Sequence, residues 1–157
     1  MAKYSASNQL GGTAQNLSTA YKTILSLRAI TATLRRAWLY ELLFGADGLP
    51  NATDCAIVYD VSRQTVDGTA TAVTPVALDP ADAASGSQTD VNYTAEGTIT
   101  AASSLLAVSL NQRASQRWVA APGSELVVPA TNDAGLAVRA KSSTYTSTVV
   151  VPALFWE

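Results

Sequence analysis

The side chains of this chain that could do chemistry are few and poorly grouped. Asp54, Asp60 and Asp67 fall within fourteen residues, and two carboxyls held at a fixed separation are the machinery of glycoside hydrolysis. Two of them flank turn signals and the third lies on the exposed face of an alternating run, so they read as solvated acids. Asp79, Asp82 and Asp90 offer the oxygens a calcium ion prefers, but without the spacing of an EF-hand loop. Cys55 is the only cysteine; its neighbours AIVYD make it a small strand residue rather than a nucleophile, and a disulfide framework is excluded. The chain has no histidine, which removes Ser-His-Asp and Cys-His catalysis and every histidine-containing metal site. Gly11-Gly12 is too short and wrongly placed to cradle a phosphate. No catalytic, cofactor or metal site is expected.

Cations and aromatics make a better case for binding. Arg28, Arg35 and Arg36 lie near Tyr21, Trp38 and Tyr40 in sequence, and stacking aromatics beside a basic groove hold single-stranded nucleic acid. The acidic balance, with pI about 5.0, argues against that partner. Arginine forks also suit carboxylates of a neighbouring protein. Residues 1–40 carry five bases and no acid, whereas the rest of the chain sets five bases against all twelve acids. This asymmetry places the expected partner-facing residues near the N-terminus, at Lys3, Tyr4, Leu10, Lys22, Arg28, Arg35 and Arg36. Trp38, Trp118 and Trp156, with Phe44 and Phe155, are read as the large pieces of the core, or else as a carbohydrate platform.

The elements that must position these residues are strands. Residues 17–28 alternate with period two, and residues 34–44 (LRRAWLYELLF) are aromatic-rich and closed by a Gly-Ala-Asp-Gly turn, which favours a strand over a helix. Trp38, Tyr40, Leu42 and Phe44 would then share one face. Cys55, Ile57, Tyr59 and Val61 alternate next, and Asp67-Gly68 predicts a hairpin returning through TATAVTPVAL. Residues 79–90 are the most loop-like. Strands follow at 94–100 and 105–110, and the stretch 117–157 reads as consecutive antiparallel strands separated by Pro122-Gly123, PATNDAG and Lys-Ser-Ser. Nine or ten short strands without βαβ alternation predict an all-β fold, a jelly-roll-like antiparallel β-sandwich. Residues 1–16, small and polar with Gly11-Gly12, read as an extended arm that orders against a neighbouring subunit, and 17–157 as the single sandwich domain.

Composition bounds the rest. At 157 residues one domain is expected, and 14% charged residues against 48% hydrophobic is well under the ~25% charge of typical domains. Such a surface is either small and neutral or covered by a partner. No apolar leader and no run of membrane-spanning length occur, so the chain is expected to be soluble, unsecreted and made in a reducing cytoplasm.

The N-terminal arm, the run LRRAWLYELLFG, the segment DVSRQTVDGTATAVTPVALDPADAAS, the run NQR…RWVAAPGSELVVPA and the closing strand together resemble small all-β virion proteins of tailed bacteriophages, most of all capsid decoration (cement) proteins. The resemblance implies a jelly-roll-like fold, a homotrimer, and binding to the outside of the major capsid protein lattice to stabilise the head, with no catalytic residues, no nucleic acid and no membrane. A tail, baseplate or head-to-tail connection component, and a carbohydrate-binding β-sandwich module, are the alternatives.

Overall fold

The computed structural model describes residues 1–9 and 14–157. Among them are thirteen strands and no helix: β1 (Lys3–Ser7), β2 (Lys22–Ala29), β3 (Ala37–Ala46), β4 (Ala56–Val66), β5 (Thr69–Val73), β6 (Val76–Ala77), β7 (Ser87–Ala95), β8 (Thr98–Asn111), β9 (Gln116–Val119), β10 (Leu126–Val128), β11 (Gly135–Lys141), β12 (Val149–Val150) and β13 (Pro152–Trp156). They form two antiparallel sheets. The first is centred on β3, with β9 and β10 along one side and β12 and β13 along the other; β1 and then β6 continue beyond β13. The second runs β5-β7-β2-β11-β4-β8. The all-β antiparallel sandwich read from the sequence is what the chain adopts.

Aromatic side chains join the two sheets across the core. Phe44 of β3 meets Tyr59 of β4 with ring centroids 5.0 Å apart, and the Tyr59 hydroxyl donates to the Gly45 carbonyl at 2.9 Å. Tyr4, Leu39, Leu42, Phe155, Ile57, Val61 and Leu136 are buried in the same cluster. Burial pushes the Tyr59 hydroxyl far above the usual phenol range, so it stays a neutral donor.

Local strand signals were legible, but the pairing is mostly long-range. Asp67-Gly68 does not close a hairpin. The β4–β5 leg continues through it, and the β7–β8 leg runs back alongside through Glu96-Gly97, giving one long two-stranded ribbon. That ribbon bends round the central β2–β11 pair, its β7 half bonded to β2 and its β4 half to β11. The two legs nearly touch at the bend: a Cβ on Gly68 would lie 2.1 Å from the Ala95 carbonyl oxygen, and one on Gly97 2.6 Å from that of Val66. Only glycine permits this approach. The closing stretch behaves similarly, since β9 and β10 both pair with β3 and β11 lies in the other sheet, so none of these consecutive strands pairs with the next.

Within the N-terminal segment, Lys3–Ser7 forms a strand that pairs with its own domain. β1 lies between β13 and β6, in register from Lys3 opposite Trp156 to Ser7 opposite Pro152. Tyr4 and Ala6 are buried, and the Asn8 amide donates to the Val149 carbonyl at 2.7 Å while its oxygen accepts from the Val151 N–H at 2.8 Å. A five-residue strand with one large apolar side chain carries a weak periodic signal, which is why it read as an arm.

Candidate interaction face

The geometry of the first sheet turns on one extra residue in β3. Leu39 lies opposite Phe155 and Glu41 opposite Leu154, so Tyr40 has no partner of its own on β13. A bulge of this kind swaps which face the following residues occupy. Trp38 and Tyr40 therefore point outward while Leu42 and Phe44 point into the core, where the unbroken alternation expected over 34–44 had put all four on one face.

Across the outward side runs a row of four paired residues, Val127, Trp38, Trp156 and Lys3. The Trp38 and Trp156 rings stack 4.1 Å apart and 9° from parallel. Trp118, on β9, packs against the core as expected; Trp38 and Trp156 do not belong to it. Around them several outward positions are apolar, with Ser5 set between Leu154 and Val76. Leu43 is 38% exposed, Val119 51% and Val76 56%, and Leu154 is half-buried. Tyr40 and Trp156 also line a shallow cleft of about 240 Å³ with Met1, Lys3, Pro122 and Glu125.

One ion pair interrupts this face. Arg117 on β9 places its fork on Glu41, with N–O distances of 2.6 and 2.8 Å. The Arg117 hydrogen bonds hold the Glu41 carboxyl below its usual range against the opposing effect of burial, and Glu41 raises Arg117 in return. Burial, helped by the charge of Glu41, pushes the Tyr40 hydroxyl up. The face thus combines apolar side chains with one neutralised ion pair and the exposed Lys3.

Of the seven residues expected to face a partner, the six that are described do not form one surface. Lys3 is exposed in the tryptophan row, and Arg36 is exposed just before β3. Arg35 is exposed 3.9 Å from the Glu157 carboxylate, next to the same row. Tyr4 is no surface residue: its ring stacks on Phe155 at 5.5 Å and its hydroxyl donates to the Ala83 carbonyl at 3.0 Å. Lys22 opens β2 in the other sheet. Arg28 is enclosed by acids, 2.7 Å from Asp90, 2.7 Å from Asp133 and 3.1 Å from Asp67. Burial opposes its charge, but the hydrogen bond and charge of Asp90, with Asp67 and Asp133, outweigh it and raise Arg28. Asp90 itself is raised, chiefly by burial. Leu10 lies outside the described residues.

The other constellations also come apart. Asp60 binds Arg139 at 2.6 Å, Asp67 belongs to the Arg28 cluster, and Asp54 pairs with Arg113 at 2.9 Å. The three carboxylates thus lie beside three different arginines, Asp67 sharing Arg28 with Asp90 and Asp133. Asp90 in that cluster is separated from Asp79, whose oxygens cap a local turn, and among the described residues no His, Cys, Asp and Glu group is arranged to hold a metal ion. Tyr21 carries Arg139 and Lys141 over its ring at 4.6 and 4.5 Å, in the sheet opposite Trp38 and Tyr40. Tyr21 is therefore set apart from Trp38 and Tyr40, its neighbours in sequence. Glu157 forms a clasp that sequence gave no sign of, accepting from the Ser85 hydroxyl at 2.7 Å and the Gly86 and Ser87 N–H groups at 2.9 and 2.8 Å. Burial alone would raise its carboxyl, yet these bonds hold it low. No protein family, curated protein or solved structure matches the chain.

Proposed function

We propose that this chain is a non-enzymatic virion structural protein, a decoration protein that adheres to the outside of a tailed-phage head through the outward face of its first sheet. The observation that carries the reading is the Trp38–Trp156 row and the open Leu43, Val76 and Val119 around it. An antiparallel sheet with one face on the core ordinarily turns a polar face to water, and contiguous exposed apolar surface marks a place where another molecule sits. Arg36 and Lys3 add positive charge beside that surface, which suits a shell protein presenting carboxylates at the rim of an apolar seat. Many copies on a lattice would stabilise it by binding only the assembled state.

The test is co-sedimentation of the purified chain with shells assembled from the major capsid protein of its own phage. Saturable binding lost in Trp38→Ala/Trp156→Ala supports the proposal; absence of binding contradicts it.

A carbohydrate-binding module is the second reading, favoured by the cleft that Tyr40 and Trp156 line with Glu125 and Lys3. The stacked tryptophans cover one face of each other, which leaves less ring surface for a sugar. A glycan array separates the two readings, with a Tyr40-dependent ligand supporting the second.

A further inference from the structure

The strand β8 ends the second sheet with an edge that no other described strand covers. Among the described residues it pairs only with β4, and its fourteen residues, TITAASSLLAVSLN, contain no charge and no proline. Free edges are normally blunted with lysine, proline or bulges, because their unpaired N–H and C=O groups template pairing with another chain. Here the first half is blunted: the register with β4 shifts three times beyond Val61, and Ala102 has a left-handed φ of 54°. The second half is not. From Leu106 opposite Val61 to Asn111 opposite Ala56 the ladder is regular.

We infer that residues 105–111 of β8 are a homodimerisation edge, which pairs antiparallel with the same segment of a second copy about a twofold axis at Val108. The second copy is specified by the sequence itself. Leu106-Ala107-Val108-Ser109-Leu110 reads nearly alike in both directions, as an isologous contact requires. Antiparallel pairing about Val108 sets Leu106 against Leu110 of the second copy, Val108 against its equivalent and Ala107 against Ser109. Leu106, Val108 and Leu110 already pack on the core from one side and remain half-exposed at the edge. A second copy covers them and joins two six-stranded sheets into one. No like charges meet, since the paired segment has none; nearby Arg113 and Asp54 are bonded to each other at 2.9 Å. This contact is independent of what the outward face of the first sheet binds, and it makes pairs rather than the trimer that the phage resemblance implies.

Sedimentation velocity of the full chain tests it, together with two double variants at exposed positions. The wild type should sediment at twice 16.3 kDa. Ala107→Lys/Ser109→Lys puts lysine opposite lysine twice across the axis and should raise the dimer Kd about tenfold or more. Ala107→Glu/Ser109→Lys puts glutamate opposite lysine twice and should restore the dimer. Circular dichroism and melting of both variants report that the monomer fold is intact, and hydrogen exchange of the 105–111 amides should slow as concentration rises. A wild-type monomer or trimer, a dimer indifferent to the lysine pair, or equal loss in both variants overturns the proposal.

Discussion

Trp38 and Trp156 lie ring against ring on the outward side of the first sheet, 4.1 Å apart, while their chain neighbours Leu39 and Phe155 are in the core. The same four residues thus serve cohesion on the inward side and form the proposed adhesive face on the outward side.

Substituting adjacent residues should separate those functions. Phe155→Ala removes a fully buried ring and is expected to cost about 3–5 kcal/mol. Trp156→Ala loses an outward aromatic pair and half-covered area, about 1–2 kcal/mol, and leaves a folded domain. Urea midpoints of the two variants give the comparison.

Arginines expected to serve one surface should behave as two kinds. Arg28→Met leaves Asp67, Asp90 and Asp133 without their cation and is expected to cost about 3 kcal/mol or more. Arg35→Glu/Arg36→Glu changes exposed groups and should alter stability by no more than about 0.5 kcal/mol, so any effect it has will be on binding. Chemical denaturation of both variants checks the contrast.

Acid should destabilise the fold. Glu41, Asp60 and Glu157 are all held below their ordinary values of 4.5, 3.8 and 4.5. For Asp60, burial pulls the other way but bonds from Ser104, Ser62 and Arg139 prevail. A carboxyl with a lowered folded pKa contributes stability that is complete above its unfolded value and is lost as pH falls through the folded one. Asp90, raised by burial, works in the opposite sense and makes the loss shallower. The urea midpoint should therefore hold from pH 7 to about 5 and drop below about 4. Glu157→Gln should lower the plateau and flatten the drop.

Deleting residues 1–9 should unfold the domain or lower its melting temperature strongly, because Tyr4, Ala6 and the two Asn8 bonds leave with them. An arm serving only a neighbour would be removed without effect on the monomer. Far-ultraviolet circular dichroism of the truncated chain decides between them.

Strand content was legible because side-chain alternation is local, and the residues around Ile57–Tyr59 and Leu136–Val138 announce it plainly. Pairing was not, since Asp67-Gly68 has hairpin chemistry whether it closes a hairpin or bends a long ribbon, and only the position of Gly97 on the other leg decides. The outward aromatic face was hidden for a related reason. Period-two reading assumes unbroken pleat, and the unpaired Tyr40 reverses it within β3. Charge asymmetry pointed to Lys3 and Arg36 beside the face, but it equally selected Arg28, whose three acid partners are 39 to 105 residues away in sequence.

Adhesion through the outward tryptophan face is tested most directly by the occupancy of the chain on shells of its own major capsid protein, measured by co-sedimentation for the wild type and for Trp38→Ala/Trp156→Ala. Saturable wild-type binding, with at least about a tenfold loss of affinity in a variant that remains folded, is the expected result. Wild-type chain left in the supernatant, or a folded variant that binds as well as the wild type, would contradict it.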